Sequence, residues 1–225
     1  MFKKITQAVL TLCLIPMLIG ASLLLMLLPP VTMFWAERMA DFEHSAVSRV
    51  ELMQAAEAGL IYVSGGSDFM PRGDNYRTAF PDEVVSHMSD VRAVFYTVRM
   101  VVATLAATAA LLFVYLFSRN EHIRAGKALS WSATLTFIVT LGFVVYGLLS
   151  FDSLFNQMHQ LLFADGTWLF QSNSLLITAY PFEFWIAMAA TWAALLLVMC
   201  LLALVFGQNL KKHAMQRKNK IKTRV

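Results

Sequence analysis

Four long apolar blocks dominate the chain, and its polar residues fall between these blocks rather than alternating within them. Blocks of this length predict membrane-spanning helices, since about 20 residues at 1.5 Å each cross the hydrocarbon core. The blocks cover roughly 8–28, 100–117, 133–149 and 184–206. The reading is an all-α membrane protein with four transmembrane helices and a mostly helical extracytoplasmic cap. Its segments are a start and first span (1–30), a first cap part (31–94), a second span (95–118), a loop (119–130), a third span (131–150), a second cap part (151–183), a fourth span (184–207) and a basic tail (208–225).

Lys3 and Lys4 precede the first block as in a secretion signal. The apolar run exceeds the roughly 7–15 residues of a signal core, however, and Pro29-Pro30-Val31 offers no small-residue cleavage site, so a retained span is expected. Within the cap, 36–62 is rich in Ala, Glu, Met and Leu and predicts a helix or helix pair, stopped by Ser64-Gly65-Gly66-Ser67. Residues 68–80, with Pro71, Gly73 and Asn75, read as a loop. Pro81-Asp82-Glu83 then starts a helix that runs into the second span.

Composition agrees with the pattern. Of 225 residues, 58% are hydrophobic and 14% charged, against about 25% charged in an average soluble domain. Four spans leave no room for a separate soluble catalytic domain, so any chemistry sits at or near the bilayer. The net charge of +4 is unevenly placed. Outside the spans, two Lys or Arg lie at the start, three between spans two and three (Arg119, Arg124, Lys127) and seven from Lys211 to Arg224, whereas 13 of 14 acidic residues lie in 31–94 and 151–183. The positive-inside bias therefore predicts cytoplasmic termini and an extracytoplasmic cap. The tail reads as a topology signal that touches anionic lipid, with no nucleic-acid partner expected. Cys13 and Cys200 lie inside apolar blocks and imply no disulfide framework.

Histidine carries the candidate chemistry. His122 and His213 sit in basic segments, and His44 reads as a surface residue of the cap helix beside Glu43. His87 and His159 fall shortly before the second span and shortly after the third, and antiparallel neighbouring spans bring those two ends together. Asp90, three residues after His87, shares its helix face and can fix its tautomer. Ser86 beside His87, and Asp152 at the start of the segment bearing His159, are further orienting candidates. Phe155 stands one helical turn before His159, and the aromatic run continues through Phe163, Trp168 and Phe170. Such rings suit the headgroup belt or line a cleft for acyl chains. Arg99, at the entry of the second span, snorkels to the interface or meets a lipid phosphate or ester.

No serine-nucleophile elbow, His-Glu-x-x-His, CxxC or phosphate-binding glycine loop is present. The histidines lack a recognisable metal-ligand spacing, and no metal or cofactor is expected.

The four-span plan, the residues Phe80, Glu83, Val84, Ser86, His87, Met88, Asp90 and Val91 before the second span, and Phe155, His159, Phe163, Gly166, Trp168, Phe170, Pro181, Phe184 and Trp185 before the fourth resemble the integral membrane family that includes the lipoprotein intramolecular transacylase, Lit. That resemblance implies an acyltransferase of the bacterial cytoplasmic membrane. Its substrate would be a diacylglyceryl-modified lipoprotein, whose sn-2 acyl chain moves to the amino group of the N-terminal cysteine, giving the lyso-form. His87 and His159 are then the catalytic pair, and Phe155, Phe163, Trp168, Phe170 and Arg99 contact substrate. Two other classes use the same residues differently: a transporter or metal- or haem-handling protein with histidine ligands, and a non-enzymatic membrane assembly partner. The absence of charge inside the span cores weighs against transport.

Overall fold

The computed structural model describes residues 2–73 and 79–222, with side chains to 220. Asn75 of the expected 68–80 loop and Arg224 of the tail lie outside the described residues. Eight helices are described: α1 (Phe2–Met26), α2 (Pro29–Met39), α3 (Arg49–Val63), α4 (Asp82–Ser118), α5 (His122–Leu149), α6 (Phe151–Leu162), α7 (Leu175–Ala179) and α8 (Phe182–Lys222). Among the described residues the β-structure is a single isolated bridge, Arg72 with Phe80. α1, α4, α5 and α8 are long and apolar enough to cross a membrane. The protein is a multi-pass, all-α membrane protein.

The chain divides into two compact units, one of Met1–Ser22, Arg99–Val145 and Ala193–Val225, the other of Leu23–Val98 and Tyr146–Trp192. In the first, Leu10, Leu14, Ala109, Leu116, Ala125 and Ala128 form a small core, while Leu111, Val114, Leu201, Leu202 and Phe206 are exposed. Such outward apolar residues suit a lipid solvent. The α4–α5 connection follows helix-stop chemistry. Asn120 takes φ 55°, and the amides of Asn120 and Glu121 donate to the carbonyls of Phe117 and Leu116, the paired bonds of a Schellman stop. Glu121 then accepts from Lys3 at 2.7 Å and Arg124 at 3.0 Å, and Lys3 holds its carboxyl below the usual range. A Cβ on Gly126 would lie 2.9 Å from Lys211 Cγ. The N-terminal segment, the α4–α5 connection and the start of the basic tail thus meet at one end of this unit.

The second unit carries the candidate chemistry. Pro29 and Pro30 occupy the first turn of α2, where proline loses no helical hydrogen bond. The helix therefore begins seven residues before the expected 36, and the expected pair is broken over 40–48. His44 lies in that break, not on a helix, and its Nδ1 is 2.8 Å from Asp41, not paired with Glu43. α3 opens on a capping box, with Ser48 Oγ accepting the Glu51 amide and the Glu51 carboxylate accepting the Ser48 amide. It stops at Gly65, φ 76°, with a second Schellman pair from Gly65 and Gly66 to Tyr62 and Ile61. Ser48→Ala should lower the unfolding free energy by about 1 kcal/mol, measured by denaturant unfolding in detergent.

Leu52, Ala55 and Ala56 of α3, Phe80, Val84, Val85 and Met88 around the start of α4, and Leu176, Ala179, Tyr180 and Phe184 of α7 and α8 make one core. Two long-range hydrogen bonds tie it: Tyr180 hydroxyl to the Ala56 carbonyl at 2.6 Å, and Trp35 Nε1 to Thr191 Oγ1 at 2.9 Å. α6 follows α5 after the single residue Ser150. Its seat is fixed by the Tyr146 hydroxyl, 2.9 Å from Ser153 Oγ and accepting from Gln157 Nε2 at 2.7 Å.

Candidate active site

His87 lies in the first turns of α4, a polar extension carrying Asp82, Glu83, Asp90 and Arg92 ahead of the apolar stretch that begins near Phe95. His159 lies in the last turn of α6. Both side chains are 93% buried, at 7% exposure each, and their ring centroids are 6.2 Å apart with planes at 23°. Aromatic rings enclose them. Phe163 stands 4.9 Å from His87 and 5.5 Å from His159. Phe170 is 5.6 Å from His87, and Phe155 and Trp168 are 4.0 and 5.7 Å from His159.

Between the rings is a cavity of about 40 Å³, lined by His87, Phe155, His159, Trp168, Phe170, Leu176, Ile177, Tyr180 and Trp185. Phe170 also borders a second cavity of about 640 Å³, whose wall includes Glu83, Gln171, Asn173, Ser174 and Thr178. Leu176 and Ile177 are lining residues that sequence reasoning missed, and nothing in the sequence marks them. Tyr180 and Trp185, which also line the cavity, end the aromatic run that leads into the fourth span.

Of the other expected site residues, Ser86, Asp90 and Asp152 are exposed and do not line the small cavity. Asp90 acts on His87 through its charge, not through a hydrogen bond, because His87 Nδ1 has no partner among the described residues. Asp152 sits in the first turn of α6, where a carboxylate favours the helix dipole. Arg99 belongs to the other unit.

His159 Nδ1 lies 2.8 Å from the Phe155 carbonyl. A carbonyl only accepts, so Nδ1 carries the proton, and the neutral ring presents its lone pair at Nε2. Burial pushes His159 down from the ordinary value, opposed by that bond. His87 is pushed down to about 4 by burial and by His159, with Asp90 pulling the other way. Both rings are therefore neutral near pH 7, and a charge on one disfavours a charge on the other.

The same shifts fix the sign of a stability effect. Between about pH 6.5 and about 4 the unfolded chain binds protons that the buried rings refuse, so stability falls as pH falls through that window. Unfolding midpoints in detergent should be lower at pH 4.5 than at pH 7.5, and the drop should shrink in His87→Gln.

Four span-length apolar helices define an integral membrane protein, and within it lies a buried pair of neighbouring imidazoles. The model of the family "Lipoprotein intramolecular transacylase Lit" matches residues 8–185, and the chain belongs to that family. The fold is similar to that of the membrane integral lipoprotein intramolecular transacylase Lit from Bacillus cereus, with TM-score 0.78, 16% identity and coverage of 97% of this chain and 98% of that one. A variant of that protein with one histidine replaced by arginine matches at TM-score 0.75 and 16% identity, over 96% of this chain and 95% of that one. An uncharacterised protein of Aquifex aeolicus is 24% identical over 166 residues, 67% of this chain and 73% of its own. Among the described residues no group of three or more His, Cys, Asp or Glu is placed to hold a metal ion.

Proposed function

We propose that this protein moves the sn-2 acyl chain of a diacylglyceryl lipoprotein onto the amino group of its own N-terminal cysteine, with His87 and His159 carrying the proton. The observation behind this reading is the pairing of the two imidazoles, 6.2 Å apart in an apolar pocket, in a chain of the transacylase family.

The amine nitrogen attacks the ester carbonyl carbon and a C–N bond forms. The C–O bond to glycerol then breaks, and the departing oxygen takes a proton. One proton leaves nitrogen and one reaches oxygen, so the reaction asks for a site that accepts a single proton and returns it. A neutral imidazole does both near neutral pH. His159 accepts at Nε2, the nitrogen its Phe155 bond leaves free, and the released proton passes to the glyceryl oxygen with His87 facing the same cavity. Because amine and ester belong to one molecule, no covalent enzyme intermediate is needed. Holding the two ends together can supply about 7–11 kcal/mol of the barrier.

The meeting of three basic segments at one end of the first unit supports cytoplasmic termini, with the histidines on the extracytoplasmic side. The product is an isomer of its substrate, so intact mass alone does not report the reaction. Fragmentation of a reporter lipoprotein's N-terminal peptide, from cells expressing this protein in a host with free-amine diacylglyceryl lipoproteins, should locate one acyl chain on nitrogen and one on glycerol. An unaltered diacylglyceryl peptide, or a triacylated one, excludes intramolecular transfer.

A further inference from the structure

Three side chains lining the small cavity have a ring hydroxyl or indole donor: Tyr180, Trp185 and Trp168. Two of these donors are committed. The Tyr180 hydroxyl donates to the Ala56 carbonyl at 2.6 Å, and Trp185 Nε1 donates to the Tyr180 carbonyl at 3.0 Å. Trp168 Nε1 is different. It is buried and has no hydrogen-bond partner among the described residues, on a residue only 8% exposed. His87 Nδ1 also lacks a partner, but an imidazole nitrogen can carry a lone pair. An indole nitrogen is a donor only, and sealing one away from any acceptor is a standing penalty that a fold seldom keeps without use.

The cavity narrows the choice of acceptor. About 40 Å³ holds a carbonyl group or two to three waters, and is too small for an acyl chain or a peptide. No Lys or Arg lines it, so apart from the imidazoles, which the amine proton occupies, the donors available to negative charge appearing there are neutral. Under the transacylase reading, on which this inference rests, the ester carbonyl is the group that must stand beside both imidazoles. Its oxygen gains charge as the nitrogen attacks.

We propose that Trp168 Nε1–H donates to that oxygen in the transition state. When the C–N bond forms, the C=O pair moves onto oxygen and the indole N–H bonds the resulting oxyanion. When the pair returns, the C–O bond to glycerol breaks. Trp168 neither gains nor loses a proton. A neutral donor also suits the pair, because a cation here would make it still harder for an imidazole to accept the amine proton. The N–H is buried and has no acceptor of its own among the described residues, so an entering carbonyl meets no competitor for it. Trp168 is on the connection between α6 and α7, two residues past Gly166, where φ is +78°.

Trp168→Phe keeps an aromatic ring and removes the donor. Its kcat for N-acyl product should fall about 10²-fold with KM nearly unchanged. Its unfolding midpoint should equal or exceed that of the parent protein, because an unpaired N–H has gone. Replacing Trp168 with 3-benzothienylalanine, which puts sulfur in place of the N–H in a ring of the same shape, should reproduce the loss. Parental rates in both variants overturn the proposal and leave the N–H a partner of water. A loss with Phe but not with the sulfur isostere overturns it in favour of packing. Failure of the unsubstituted protein to place an acyl chain on nitrogen would instead sink the transacylase reading itself.

Discussion

Alanine in place of His159 is expected to lower formation of the N-acyl product by about 10²–10⁴-fold, the range typical of a lost general acid or base. His87→Ala should fall in the same range. The reason lies in the pocket. Each ring is buried among aromatics, and no other imidazole lines the cavity to take over its role. The two losses should not add. If one proton passes through one pair, the double variant will be scarcely slower than the slower single one, as for residues that act as a unit. Rates from fragmentation of the reporter peptide, with unfolding midpoints as a check on folding, decide the matter. Independent, multiplying losses would mean the rings do not share a proton.

The largest expected effect on stability is elsewhere. Gly126 of α5 and Gly207 of α8 face each other so closely that a Cβ on Gly126 would lie 2.5 Å from the Gly207 carbonyl oxygen, and one on Gly207 would lie 2.7 Å from the Gly126 oxygen. Small residues at such a crossing let membrane helices approach, and the obstructing atoms are backbone that cannot rotate away. Gly126→Val should cost about 3 kcal/mol, the upper end of ordinary overpacking, and reduce accumulation in the membrane. Gly142→Ala is the control. Nothing lies within 4 Å of its Cβ, so the better helix former should leave the midpoint unchanged or raised. Equal behaviour of the two variants would remove the close crossing as a source of stability.

The spans and the helix stops were legible in the sequence because each is a local signal. Apolar length marks α1, α4, α5 and α8, the Ser64–Ser67 run ends α3, and Pro81-Asp82-Glu83 starts α4. Ser48 and Glu51 form a capping box that could have been read from their three-residue spacing. The break at 40–48 was harder, since its residues do not include a proline or glycine and its backbone is held partly from outside, by the Asp41 amide donating to the Thr178 carbonyl. The histidine pair was accessible because both residues flank spans joined by a short connection. The indole donor was not. Sequence shows that Trp168 is aromatic, but that its N–H alone lacks an acceptor depends on Tyr180 and Trp185 having spent theirs on Ala56 and Tyr180. Such accounting across distant segments leaves no pattern in the chain.

The two imidazoles are mounted differently. His87 rides on α4, a strut of 37 residues without an internal proline or glycine. His159 rides on a bracket of 12 residues joined through Ser150 alone and latched by the phenol of Tyr146. The spacing of the rings therefore depends on how α6 is seated, by a phenol thirteen positions upstream of the imidazole it steadies and by Phe151 and Phe155 resting against Phe182 and Trp185.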